Sequence, residues 1–323
     1  MPLSLRRGTV TAILDEGERL LRLEVDGIAC VAYPRLTGPV EAGDDVLVNE
    51  QARVLGLGSG GFDVLYANLT RGLGLRPEAD AHVMKLPYAP EQHAVRHVEE
   101  EGGLAETLDG MPVVCCSLHS QVAPACAGLG RDRRVAYVQL PGGALPVSLS
   151  DTVRALGVES VAVGACFDGD RHAVGVASAL AWAAGAGFEA AVCAIGPGVV
   201  GTASRLGHGG VAAADAANAA GALGGSAVLA VRVSHGDPRE RHRGVSHHTR
   251  AVLELCLGDV AVAWPSGLEP PEWLERRHEV DVTGWEEACA GLPLEHMGRG
   301  PVDDPWFFAS AFAAGRLAAT LVR

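Results

Sequence analysis

The chain has 323 residues and a formal net charge of −13, with 48% of its residues apolar and 5% aromatic. The acidic balance argues against nucleic acid as a partner, because a phosphate backbone is held through Lys and Arg. The length suits two domains, or one large domain with an appendage, around a sizeable core. Ala, Gly and Val dominate the apolar fraction, which fits tightly packed α/β layers. Lys85 is the only lysine, so nearly all positive charge is Arg. The 8 cysteines show no Cys-x-x-Cys spacing. Most sit in apolar runs, where Cys behaves as a small hydrophobe. Reduced thiols and a cytoplasmic location follow as expectations. No secretory signal and no apolar run of membrane-spanning length is read, so no membrane partner is expected.

Residues 1–70 read as a small β-barrel, SH3-like or OB-like. Alternation over Thr9–Leu14 and Leu20–Val25 marks strands, and Asp26-Gly27 between apolar residues is a hairpin signal. Further strands are expected at Val46–Val48 and Phe62–Leu69. Gly56-Leu57-Gly58-Ser59-Gly60-Gly61 has Gly-x-Gly-x-x-Gly spacing, but a strand follows it, so it reads as a β-turn. Residues 71–111 form a connector with Pro77, Pro87 and Pro90 and a helix over His93–Gly102.

From Pro112 strands alternate with helices. Strands are expected at 112–117, 134–139, 160–165, 189–195, 226–232 and 259–263, and helices at about 121–129, 149–156, 171–184, 210–223 and 247–257. Ser148-x-x-Asp151 resembles a capping box, Asp170 can cap the next helix, and Ser246 the last. This order implies right-handed βαβ units and a mostly parallel, three-layer, Rossmann-like α/β domain over 112–323. The 265–301 stretch is mixed, and Asp304–Leu321 reads as an amphipathic C-terminal helix.

In an open parallel sheet, ligands bind beyond the carboxyl ends of the strands. The loops expected there hold His119, Asp168, Thr202, His208, His235, Asp237, Arg241 and His242. Gly196-Pro197-Gly198-Val199-Val200-Gly201 follows a strand and has dinucleotide-motif spacing. Its glycine run continues to Gly210, however, and Arg232 stands where an acidic ribose-binding residue is expected. An anion or phosphate turn formed by Gly196, Gly198, Gly201 and Thr202 is the preferred reading, with an NAD(P) site and a close-packing loop as alternatives.

Within 234–248, Arg239, Arg241 and the helix N-terminus at Ser246 can hold a carboxylate or phosphate. His119, His235 and His242 are candidates to move protons, with Asp237 or Asp168 to orient a histidine. His235, Asp237, His242, His247 and His248 are metal-ligand types, but their spacings match no compact zinc signature. Adjacent histidines opening a helix point about 100° apart. At most one of the pair therefore joins a given site, so a metal is a lesser reading of this segment; no metal ligand and no cofactor is assigned. A solvated loop or a homo-oligomer contact is the alternative role of this segment.

The run Arg241-His242-Arg243-Gly244-Val245-Ser246-His247-His248, with Met111-Pro112-Val113-Val114, Leu118-His119-Ser120-Gln121 and Gly196-Pro197-Gly198, resembles a bacterial family of unknown function found in Gram-positive and actinobacterial genomes. Asp304-Pro305 and Ala313-Ala314-Gly315-Arg316 share the likeness. It implies no activity. The reading from the residues is an enzyme acting on a small anionic, phosphorylated or carboxylated molecule. A non-catalytic ligand-binding or assembly protein is the alternative, with the barrel as interaction module.

Overall fold

Asp26 and Gly27 both take left-handed backbone angles, φ 53° and 75°. That turn geometry matches the twist of two antiparallel strands. It joins β2 (Leu21–Val25) to β3 (Ile28–Ala32), in register from Val25↔Ile28 to Leu21↔Ala32. The structure is a computed structural model that describes residues 3–56 and 60–322. Residues 57–59 of the first glycine-rich stretch lie outside the described residues. The chain divides into two compact units, Met1–Val95 and Arg96–Arg323.

In the first unit β1 (Leu5–Glu16) pairs with β2 on one side and with β4 (Asp45–Asn49) on the other. With β5 (Asp63–Asn68) the order β1-β2-β3-β5-β4 closes into a barrel. Closure leaves no strand edge unpaired. Leu23, Val25, Cys30, Val46, Val48 and Leu65 fill its interior. Two short helices, α1 (Pro34–Thr37) and α2 (Gln51–Val54), connect strands. Residues 71–95 belong to this unit and carry a hairpin of β6 (Val83–Lys85) and β7 (His93–Val95). The helix expected from His93 is shorter: α3 (Val98–Glu101) follows the strand and stops at Gly102.

The second unit is a three-layer α/β domain around an eight-stranded parallel sheet. Its strands are β8 (Pro112–Cys116), β9 (Val135–Leu140), β10 (Glu159–Val163), β11 (Arg171–Ala173), β12 (Ala190–Ile195), β13 (Ser226–Ala230), β16 (Ala261–Pro265) and β17 (His278–Val280). They lie in the order β11-β10-β9-β12-β8-β13-β16-β17. A separate antiparallel pair, β14 (Val233–Ser234) and β15 (Gly244–Val245), falls between β13 and β16 in the chain. Alternate residues of each strand serve opposite faces. Val113, Cys115, Cys193 and Leu229 meet helices α6 (Val176–Gly185) and α7 (Ala212–Ala222). Val114, Cys116, Val192 and Val228 meet α4 (Val122–Leu129), α5 (Asp151–Leu156) and α10 (Pro305–Ala319). Helix α8 (His247–Leu255) adds Val252 to the first face, and α9 (Trp285–Ala288) precedes α10.

Three expectations are corrected here. The segment after Asp170 opens as strand β11, because the Asp170 carboxylate accepts from Ser160 N and Oγ and ties the segment to β10 instead of capping a helix. The cap of α5 is Ser150, which accepts from Val153 N, two residues beyond the expected Ser148. Helix α10 is not amphipathic, since 10 of its 15 residues are buried. It crosses α4 so closely that a Cβ on Gly315 would stand 1.9 Å from the Ala125 carbonyl oxygen. Among the described residues no helix is long and apolar enough to cross a membrane.

Candidate functional site

Strand β8 is central, and the chain adds β12 on one side of it and β13 on the other. The loops after these three strands therefore leave one edge around a topological switch point. The loop after β13 is closed on itself by the β14–β15 pair, by Ser246 N donating to the Arg232 carbonyl (2.9 Å), and by Arg232 N donating to Thr249 Oγ1 (2.9 Å). Ser246 caps α8, accepting from His248 N, as its sequence context predicts. These bonds hold the 234–248 segment in one conformation.

Its buried centre is ionic. Arg232 is 2% exposed and Asp237 0% exposed. Asp237 accepts from Arg239 Nη2 (2.7 Å) and Nε (2.9 Å) and from Arg299 Nη2 (3.2 Å), and Arg232 Nη2 lies 3.5 Å away. Burial alone would raise the Asp237 pKa, but the Arg239 hydrogen bonds and the Arg239 and Arg299 charges hold the carboxyl well below the usual carboxylate range. Burial pushes Arg232 down to about 9, with Asp237 acting against it. Arg299 also pairs with Asp304 (3.4 Å), whose other contacts are the Ser234 hydroxyl and His235 N. His296 stacks on Phe307, its Nδ1 3.1 Å from Ser120 Oγ and its Nε2 3.4 Å from Arg232 Nη2.

Four imidazoles gather beside this centre. His208 stacks on His248 with ring centroids 3.6 Å apart, and His242 lies 4.9 Å from His247 and 5.0 Å from His248. Burial, reinforced by Arg232, pushes His248 down to about 2 and His242 to about 3. His208 is lowered by burial and then by His247, and His247 by burial and then by the Arg241 charge. All four are neutral near pH 7 and offer lone pairs rather than charge. One ring nitrogen from each of His208, His247 and His248 lies within 4.8 Å of the others. The expectation that at most one of two adjacent histidines joins a given site is corrected. The 100° offset describes where the side chains leave the helix, whereas imidazoles at a helix start reach far enough to converge.

The other expected site residues divide. His242 belongs to the cluster, its Nδ1 2.8 Å from the Ser246 hydroxyl. Asp237 is near it but engaged by arginines, so it does not orient a histidine. Arg239 is consumed by Asp237, whereas Arg241 is exposed and makes no hydrogen bond or ion pair among the described residues. His235 is exposed, and among the described residues its ring has no hydrogen bond or ring contact.

His119 stands in a separate network. Tyr137 donates to Gln139 Oε1 (3.2 Å), so its oxygen accepts from His119 Nδ1 (3.1 Å), and His119 Nε2 accepts from Ser150 Oγ (2.7 Å). Burial pushes this imidazole down to about 4. With both nitrogens engaged, the histidine fixes the β8, β9 and α5 loops to one another.

The glycine turn is also explained by packing. A Cβ on Gly143 would stand 2.2 Å from the Gly196 carbonyl oxygen, and one on Gly209 2.0 Å from that of Gly142. Gly201 lies against His208, and Val200 N donates to Gly142 O (3.1 Å). Thr202 is exposed and bonds Ser204 and Gly207 within its own turn. Helix α7 begins only at Ala212, so the motif does not run into a helix N-terminus as dinucleotide binding requires. Close packing accounts for glycine at 196 and 201, and the far end of the loop delivers His208. Sequence reasoning left Arg299, His296 and Asp304 outside the site: His296 and Arg299 lie in a stretch with no period, Asp304 reads as the start of the last helix, and the three converge only through the fold.

Fold and site together define a parallel α/β protein with a histidine–arginine rim and a small N-terminal barrel. The chain belongs to the family described as "Protein of unknown function (DUF3866)", whose model matches residues 29–315. No curated protein matches the chain.

Proposed function

We propose that this protein is an enzyme that takes a small anionic molecule, a phosphate or a carboxylate, at the rim beyond β8, β12 and β13. One observation carries the reading: Arg241 is exposed and unpaired among the described residues, yet close enough to lower the His247 pKa by its charge. A guanidinium without a counter-ion beside neutral imidazoles supplies an anion contact and lone pairs to act on what it holds. Arg239 and Ser246 support the site from behind, through Asp237 and the cap of α8. Cysteines held outside disulfides among the described residues fit a reducing compartment, and so a cytoplasmic enzyme. A non-catalytic binding protein is the second reading, favoured by the engagement of Asp237 with arginines rather than with a histidine.

The test is a titration with inorganic phosphate, phosphate esters and small carboxylates, read by calorimetry and by the rise in thermal stability, with product formation followed by NMR. Saturable binding that Arg241→Ala weakens by about 1.5–3 kcal/mol, the worth of a charge-assisted hydrogen bond, is expected. Binding unaffected by Arg241→Ala removes the anion site. Binding without turnover leaves the second reading.

A further inference from the structure

We propose that His208, His247 and His248 bind a single divalent transition-metal ion of the zinc, cobalt and nickel class. The three rings bring ligand nitrogens within 4.8 Å of one another. Hydrogen-bond accounting says which nitrogens are free. His208 Nε2 lies 3.1 Å from the Arg205 carbonyl. A carbonyl only accepts, so Nε2 carries the hydrogen and Nδ1 the lone pair. That Nδ1 is buried with no partner, in a residue 5% exposed. The carbonyl is also the kind of outer acceptor that orients a metal-bound histidine. His247 Nε2 is likewise buried and unpartnered. His248 Nδ1 accepts from Arg232 Nη1 at 3.1 Å, because a guanidinium only donates, so an ion bound at this nitrogen displaces that guanidinium. Room is kept by Gly210, where an added Cβ would stand 3.1 Å from His208 Nδ1.

The donor set decides the class of ion. Magnesium and calcium take oxygen ligands, whereas imidazoles suit zinc, cobalt, nickel and copper. Among the described residues no carboxylate joins the three rings, and Asp237 is held by Arg239 and Arg299. The Arg232 charge opposes a second cation, and Asp237, 3.5 Å from it, carries the compensating charge. Three protein ligands leave a coordination position open, the pattern of catalytic rather than structural zinc. The inference goes beyond the anion reading and stands without it, since metal uptake requires no substrate.

The experiment is elemental analysis of the full chain purified without chelator or histidine tag, then titration of the stripped chain with Zn(II) and Co(II). One metal per chain is expected, with visible Co(II) bands of a low-coordinate nitrogen site. His247→Ala, at the partly exposed ring, should weaken binding by more than the roughly 10–100-fold that loss of an outer-shell partner costs. His208→Gln should do the same, with circular dichroism checking that each variant is folded. His278→Ala, exposed on the edge strand, should leave binding unchanged. If one of the two cluster variants does not fold, the other and the Co(II) spectrum of the wild type decide. No uptake by the wild type overturns the proposal. So does binding that survives both cluster substitutions, falls equally in His278→Ala, or is matched by Mg(II). Anion titration of the stripped chain separates this result from the fate of the anion reading.

Discussion

His119 and His208 follow neighbouring strands of one parallel sheet, β8 and β12, and burial lowers the pKa of both. Their surroundings answer them differently. Tyr137 and Ser150 take up both nitrogens of His119, whereas the Arg205 carbonyl takes up one nitrogen of His208 and leaves the other buried without a partner. A histidine at a strand end is thus ambiguous until its second nitrogen is accounted for. The satisfied ring ties loops together. The unsatisfied one, clustered with three more, keeps a buried nitrogen that the fold does not use internally.

The sharpest way to break this contrast is at the ionic centre beside the unsatisfied rings. Asp237→Ala leaves Arg232, Arg239 and Arg299 without their shared counter-ion. It should cost about 3–5 kcal/mol in urea unfolding, the usual effect of stranding a buried charge. A loss no larger than that of a surface substitution would show that the arginines are neutralised elsewhere. Acid probes the same carboxylate. Its folded pKa is depressed, so its contribution is complete above the unfolded value of about 3.9 and is lost as pH falls below it toward the folded value. The wild type should therefore lose thermal stability more steeply than Asp237→Asn below about pH 4. A smaller effect is expected at the satisfied histidine. His119→Ala takes the acceptor from the Ser150 hydroxyl and one of two partners from the Tyr137 oxygen, and should cost about 1–3 kcal/mol. The smallest belongs to His247→Ala in stripped protein, within about 0.5 kcal/mol, because its buried Nε2 makes no bond to lose. If the last two values exchange places, the division between tying and binding histidines falls.

Much of the architecture was legible from period and punctuation. Alternation and Asp26-Gly27 pointed to the barrel hairpin, and strand–helix alternation from Pro112 pointed to the parallel sheet. Ser246 announced its helix because capping is local chemistry. What failed to show was non-local. Asp170 looks like a cap until Ser160 claims its carboxylate. Gly196 looks like a phosphate loop until Gly143 is found against it. The segment 234–248 stands out by its density of His and Arg, and three of its rings, His242, His247 and His248, do gather in the fold. The engagement of Asp237, the convergence of His247 with His248, and the arrival of Arg299 and His296 depend on side-chain reach and on contacts across more than fifty positions of sequence.

The paired glycines set how this site can diversify. Gly142 against Gly209, and Gly143 against Gly196, bring two loops together backbone to backbone. Neither loop can accept a bulkier residue at that seam without lifting the other. His208 adjoins the seam, so the position of one cluster ring is governed from the β9 loop, which contributes no imidazole to the cluster. Exposed neighbours such as Arg243 are under no such packing constraint. One ring of the imidazole cluster is therefore set in place by a stretch of backbone that bears no chemistry of its own.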